Sequence, residues 1–106
     1  MSRELKFRQW QKATQNYIYF ALRKGVSLEF NIEPELEQYT GLKDKNGKEI
    51  YEGDIIDFFG EKYPVIYRAA GFWAEYSKTQ KDHLFLYAID SEVVGNIHKN
   101  PELLEK

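Results

Sequence analysis

QYTGLKDKNGKEIYEGDIID, residues Gln38 to Asp57, reads as two strands joined by a turn and followed at once by a third. Tyr39, Thr40 and Leu42 suit a pleated, half-buried surface, and Ile50 and Tyr51 resume the pattern. Between them, Asn46-Gly47 reaches positive φ at little cost. Two registers compete. A two-residue type I′ turn pairs Lys45 with Lys48 and sets Leu42 opposite Tyr51. A type I turn beginning at Asp44, with Gly47 as left-handed bulge residue, pairs Asp44 with Lys48 and sets Leu42 opposite Ile50. The registers send Tyr51 to opposite faces, because strand side chains alternate. The bulged form is favoured, since Asp suits the first turn position and the alternative opposes two lysines.

After Tyr51 comes a corner, Glu52-Gly53-Asp54, then the apolar run Ile55-Ile56-Asp57-Phe58-Phe59. Gly53 marks a backbone position that a Cβ would obstruct. Asp54 and Glu52 either present carboxylates at a binding edge, or Asp54 caps backbone amides within the turn, and capping is the better account.

Outward from this run, Leu5 to Trp10 mixes apolar and polar residues at strand spacing, and Tyr17 to Phe20 returns as the second arm of a hairpin. A helix competes here, because Trp10, Ala13, Tyr17 and Ala21 fall at three- and four-residue spacing. Val26 to Ile32 alternates strictly and predicts a strand ended by Pro34. Strands are also expected at Lys62 to Arg68, on an edge or bulged at Pro64, and at Phe72 to Tyr76, Leu84 to Ile89 and Glu92 to Ile97. Ser77 to His83 reads as loop. Asn100-Pro101-Glu102 has the grammar of a helix start with Asn100 as N-cap, leaving room for about one turn. Short strands joined by tight turns predict a mainly β fold bordering α+β. The expectation is a small antiparallel, SH3-like barrel or curled sheet with an N-terminal hairpin and a short C-terminal helical turn. One domain over residues 1–106 is expected, with the hairpin and alternating strand in 1–37 and the barrel-like part in 38–106.

Hydrophobic residues make up 42% of the 106-residue chain, which places it among globular proteins. It has no cysteine, so disulfides, thiolate metal sites and a cysteine nucleophile are excluded. No apolar run approaches membrane-spanning length and no signal-peptide core is visible at the N-terminus, so a cytoplasmic location is expected. The net charge of -2 argues against indiscriminate binding to phosphate backbones. Its distribution is uneven. Residues 1–25 hold six basic side chains against one acid, whereas residues 26–57 hold nine acids against three lysines. Such blocks attract each other within one molecule or steer contacts between copies, and the first is the simpler account.

Three blocks then stand out: Lys6-Phe7-Arg8 with Trp10, the central run Gln38 to Asp57, and Val94-Gly95-Asn96-Ile97 with Asn100-Pro101-Glu102-Leu103-Leu104. On these the chain resembles the YopX family of small phage and prophage proteins. The resemblance implies a cytoplasmic accessory protein of a bacterial host cell, and it carries no assigned activity and no catalytic residue to transfer. Separately, Gly53-Asp54-Ile55-Ile56 is similar to the Gly-Asp entry into strands of SH3-like barrels.

Catalytic, metal and cofactor roles find no support in the residues. His83 and His98 lie in polar settings without a carboxylate or hydroxyl at a recognisable spacing, and read as exposed or loop residues. Asp44-x-Asn46-Gly47 lacks the further ligands of a calcium loop. A non-enzymatic interaction protein is expected, self-assembling or docking on a host or phage protein, with Arg8, Trp10, Tyr39, Tyr51, Gly53 and Asp54 as candidate interaction or turn residues. The rival is a nucleic-acid module using the basic, aromatic hairpin of Phe7, Trp10, Tyr17 and Tyr19; that those rings fill a core is the better account of them.

Overall fold

The computed structural model describes residues 5–22, 36–76 and 80–105. Among these residues nine strands follow one another: β1 (Leu5–Gln11), β2 (Asn16–Leu22), β3 (Leu36–Lys43), β4 (Glu49–Tyr51), β5 (Asp54–Phe58), β6 (Glu61–Arg68), β7 (Gly71–Glu75), β8 (Lys81–His83) and β9 (Ser91–Asn96). They form two antiparallel sheets, ordered β2-β1-β3-β4 and β8-β7-β6-β5-β9, one of them curled into a half-barrel. The expected strand at Val26 to Ile32 and its end at Pro34 lie outside the described residues.

At the N-terminus the strand reading wins over the helical one. Trp10 pairs with Tyr17 across β1 and β2, and Ala13 sits in the connecting turn. Aromatic and β-branched side chains gain more from such cross-strand contacts than from a helix that restricts their rotamers. β3 also pairs with β1, placing Arg8 directly opposite Glu37. It therefore joins the hairpin to the rest of the chain.

The central turn takes the bulged register. Asp44 N donates to Lys48 O at 2.9 Å, Gly47 N donates to Asp44 O at 3.0 Å, and Gly47 has φ +82°. The Asp44 carboxylate fastens the turn further. Its Oδ1 accepts from Asn46 N and Lys48 N at 2.9 Å, and its Oδ2 accepts from Val93 N of β9 at 2.9 Å. Leu42 does not sit squarely opposite Ile50, however. The ladder pairs Lys43 with Glu49 and then Tyr39 with Tyr51, so Thr40, Gly41 and Leu42 bulge against Ile50 alone. Gly41 absorbs the bend at φ +85°, and Thr40 Oγ1 donates to Ile50 O at 2.7 Å.

Pro64 does not mark an edge strand. β6 lies inside its sheet, but its pairing to β5 ends at Ile55↔Pro64 and its pairing to β7 begins at Val65↔Ala74. The proline stands where the strand changes partner, so its missing N–H interrupts neither ladder.

Two segments depart from expectation. Lys81 to His83, read as loop, forms the short edge strand β8 against β7. Leu84 to Ile89, read as a strand, instead folds into two 3-10 turns, Leu84–Leu86 and Ala88–Asp90. Leu84 and Ala88 are the buried residues of this stretch, and their four-residue spacing suits a turn of helix better than an alternating strand. The C-terminal turn is also 3-10, Pro101–Leu104, and Asn100 does not cap it with its side chain. Asn100 Oδ1 faces back to Asn96 N at 3.3 Å instead.

Ile50, Ile56, Val65, Ala74, Leu84 and Ala88 form the core, with Leu42, Tyr63, Phe72, Tyr87 and Val93 packed around it. Ile55 is buried as completely as Ile56. Successive strand residues face opposite ways, so β5 is covered on both sides. Each fully buried isoleucine contributes roughly 1.5–3 kcal/mol.

Candidate functional site

Strand alternation and register put Arg8 and Trp10 of β1, Tyr17 and Tyr19 of β2, Glu37 and Tyr39 of β3, and Tyr51 of β4 on one face of the four-stranded sheet. Arg8 is its centre and is 4% exposed. Its Nε donates to Glu37 Oε1 at 2.8 Å, and its Nη2 donates to Asp54 Oδ1 at 2.7 Å and to Glu52 O at 3.2 Å. The guanidinium carbon lies 3.8 Å from the Tyr17 ring centroid and 4.8 Å from that of Tyr51. A planar fork held by two carboxylates between two rings is an environment that a lysine ammonium cannot match.

The second carboxylate oxygens extend the network. Asp54 Oδ2 accepts from Tyr51 N at 2.8 Å, and Glu37 Oε2 lies 2.8 Å from His98 Nε2. The His98 ring stacks on Trp10, with centroids 5.2 Å apart and planes 10° off parallel. Gly53 closes the corner at φ +88°, where an added Cβ would collide with the Glu37 carboxylate. Gly53 N donates to Val65 O and Gly53 O accepts from Ile97 N, both at 2.9 Å, so the corner is tied to β6 and to the end of β9.

The electrostatics follow from burial among partners. Burial opposes the Arg8 charge, but Asp54 and Glu37 outweigh it and leave its pKa above the ordinary value. Burial pushes the Asp54 carboxyl up, against the pull of Arg8 and the Tyr51 amide. Burial likewise raises Glu52. It drives the Tyr17 phenol far up, and the Tyr17 hydroxyl is enclosed without a hydrogen-bond partner among the described residues.

All six residues singled out in the sequence therefore converge: Arg8, Trp10, Tyr51, Gly53 and Asp54 in the network, and Tyr39 against Tyr51 with centroids 5.5 Å apart. Asp54 does not offer its carboxylate at a binding edge; it is buried and caps Tyr51 N, as the turn reading holds. Two partners escaped the sequence. Glu37 reads as a connecting residue, and only the β1–β3 register reveals it as Arg8's partner. His98 lies in the turn after β9, as the loop reading holds, but it is partly buried and paired with Glu37, from which it is 61 positions distant. No local pattern signals such a contact. His83 is exposed, but its ring stacks on Trp73 at 4.1 Å. Opposite charge blocks meet within the molecule, in Arg8 with Glu37 and Asp54 and in Lys6 with Glu49 at 2.7 Å.

Chemically, the arrangement is a strut. One guanidinium binds β1 to β3 and to the corner that opens β5, while the aromatic rings exclude water from it. Among the described residues no group of three or more His, Asp or Glu side chains is placed to hold a metal ion, and no helix is long and apolar enough to cross a membrane.

No curated protein matches the chain. Among solved structures it is similar to protein EF1440 from Enterococcus faecalis, with 26% identity, a TM-score of 0.61, and coverage of 95% of this chain and 98% of that one. The family model described as YopX protein matches residues 21–105. That span takes in β3 to β9 with the Glu37, Tyr51, Gly53, Asp54 and His98 positions, and the chain belongs to the YopX family.

Proposed function

We propose that this protein is a non-enzymatic accessory protein of phage or prophage origin, working in the bacterial cytoplasm by binding protein, with a second copy of itself as the first partner. The observation that carries this reading is Phe59. It occupies the first position of the two-residue turn between β5 and β6 at φ +51°, with Gly60 at φ +90°, and it is 78% exposed. Asn or Gly fits that left-handed position without strain, whereas a bulky residue costs roughly 1–2 kcal/mol. An aromatic ring kept in water at a strained turn has the character of an interface anchor.

Phe59 has apolar company. Its ring packs on Phe58 with centroids 4.6 Å apart, and Phe58 stacks on Tyr87 at 4.4 Å. Tyr87 belongs to the stretch that also exposes Phe85, Leu86 and Ile89, the last at 74%. Ser91 pairs with Phe58, which brings the end of that stretch beside the turn. The result is an exposed apolar surface of the kind that marks interaction sites.

Light scattering across a concentration series tests the reading. The native chain is expected to associate, and Phe59→Asn with Ile89→Ser to give a monomer. Phe59→Asn alone should raise thermal stability while weakening association, which separates lost contact from lost fold. A native chain that stays strictly monomeric at high concentration, and captures no protein from a bacterial lysate, overturns it.

A further inference from the structure

Tyr17, Tyr19 and Asn96 line two hollows at once, one of about 310 Å3 and one of about 480 Å3, so the two run together as a groove across the hairpin face. Tyr51 walls the first and Trp10 the second. Tyr19 stands over the groove, 59% exposed, with its ring edge-on to Tyr51 at 5.5 Å. Its ring also lies 5.9 Å from that of Tyr17, so it rests on the two rings that flank Arg8.

Charge on the groove resolves into a simple balance. Glu49 pairs with Lys6 at 2.7 Å, while Arg8 is shared between Asp54 at 2.7 Å and Glu37 at 2.8 Å, so these three carboxylates meet two cations. Lys48 lines the first hollow and Lys99 the second, and among the described residues neither makes an ion pair. Lys48 acts on the Asp44 and Asp54 carboxylates and offsets the remaining acid of the first hollow, whereas the second hollow has Lys99 and no lining carboxylate, beside an exposed aromatic face. Asn96 adds a polar edge. Its Oδ1 accepts from His98 N at 3.0 Å and from Lys99 N at 2.9 Å, which fixes the side chain and leaves its Nδ2 donors without a partner among the described residues.

We infer that this groove binds a short stretch of single-stranded nucleic acid, with one base stacked on Tyr19, its edge near Asn96, and flanking phosphates at Lys48 and Lys99. Aromatic stacking plus a few cations is the general chemistry of such grooves, and it needs no basic excess over the whole molecule. The site is built from β1, β2, β4 with the turn before it, the first residue of β5 and the end of β9, and Phe59 does not line it, so it is tested separately from the association proposed above.

Fluorescence anisotropy with a labelled oligothymidylate of about 15 nucleotides tests the inference, read at low salt and then across a salt series. Two phosphate contacts on a single strand predict a log–log slope of roughly −1.4, falling by roughly 0.7 in Lys48→Glu or Lys99→Glu. Tyr19→Ala removes an exposed ring and should weaken binding roughly 5- to 150-fold. Phe59→Asn should leave binding unchanged, so the groove and the association surface fail separately. Absence of binding at low salt overturns the inference, and so does binding that Tyr19→Ala and both lysine variants leave intact.

Discussion

The interior of this protein is built in two ways. Around Ile50, Ile56, Val65, Ala74, Leu84 and Ala88, burial is apolar and has no preferred direction. Across the hairpin face, burial encloses Arg8, Glu37 and Asp54, whose charges tolerate it only because each donor meets its acceptor. The first kind of interior accepts any shape that fills it, whereas the second accepts one arrangement. The corner between β4 and β5 belongs to the second kind: it is held by directional bonds to Arg8, not by grease alone.

Substitutions can break this contrast. Arg8→Ala leaves two carboxylates buried without a cation and should cost roughly 3–5 kcal/mol in urea unfolding, and Arg8→Lys should restore little. A loss below about 1 kcal/mol would show that water reaches the site and that the strut is only decorative. Ile56→Val, in the apolar half, should cost about 1 kcal/mol with no change in cooperativity.

Asp44 extends the directional class to the central turn. Burial would raise its carboxyl, but the amides of Val93, Lys48 and Asn46 hold it below the ordinary aspartate value of 3.8. The sign follows: its folded pKa is depressed, so its contribution is complete above the ordinary value and disappears as pH falls through the lower folded one. Asp44→Ala should therefore lose roughly 1.5–3 kcal/mol at neutral pH and unfold in acid with a shallower slope than the native chain. Asp54, pushed up by burial, works in the opposite direction and softens the acid transition. An unchanged acid slope in the Asp44 variant would mean that other carboxylates dominate it.

Gly53→Ala probes the corner itself. Its Cβ would meet Glu37 and its φ is +88°, so a cost of roughly 1–3 kcal/mol is expected, reduced when Glu37 is shortened to Asp. The smallest effect has the other sign. Ala69 and Ala70 hold φ +49° and +59° in the turn between β6 and β7, and replacement by Asn-Gly should stabilise the chain by about 1 kcal/mol, read as a higher Tm. No gain there would indicate that the turn relaxes in solution.

Much of this was legible in the residues, for local reasons. The Asp44–Gly47 turn, the Gly53 corner and the hairpin arms depend on conformational preferences that act within a few positions. The stretch from Leu84 to Ile89 was misread because a short apolar run carries no period of its own. Pro64 was misread because a proline announces a missing N–H without saying which neighbour would have received it.

Sequence alone, then, determined the β character, the turn chemistry and the apolar identity of β5, since each follows from the backbone and side-chain preferences of neighbouring residues. Tertiary structure alone decided that Glu37 and His98 join Arg8, that β6 changes partner at Pro64, and that Phe59 is left in water while Tyr17 is enclosed. Those outcomes depend on which distant strands come into register, and register is a property of the whole sheet that no single segment encodes.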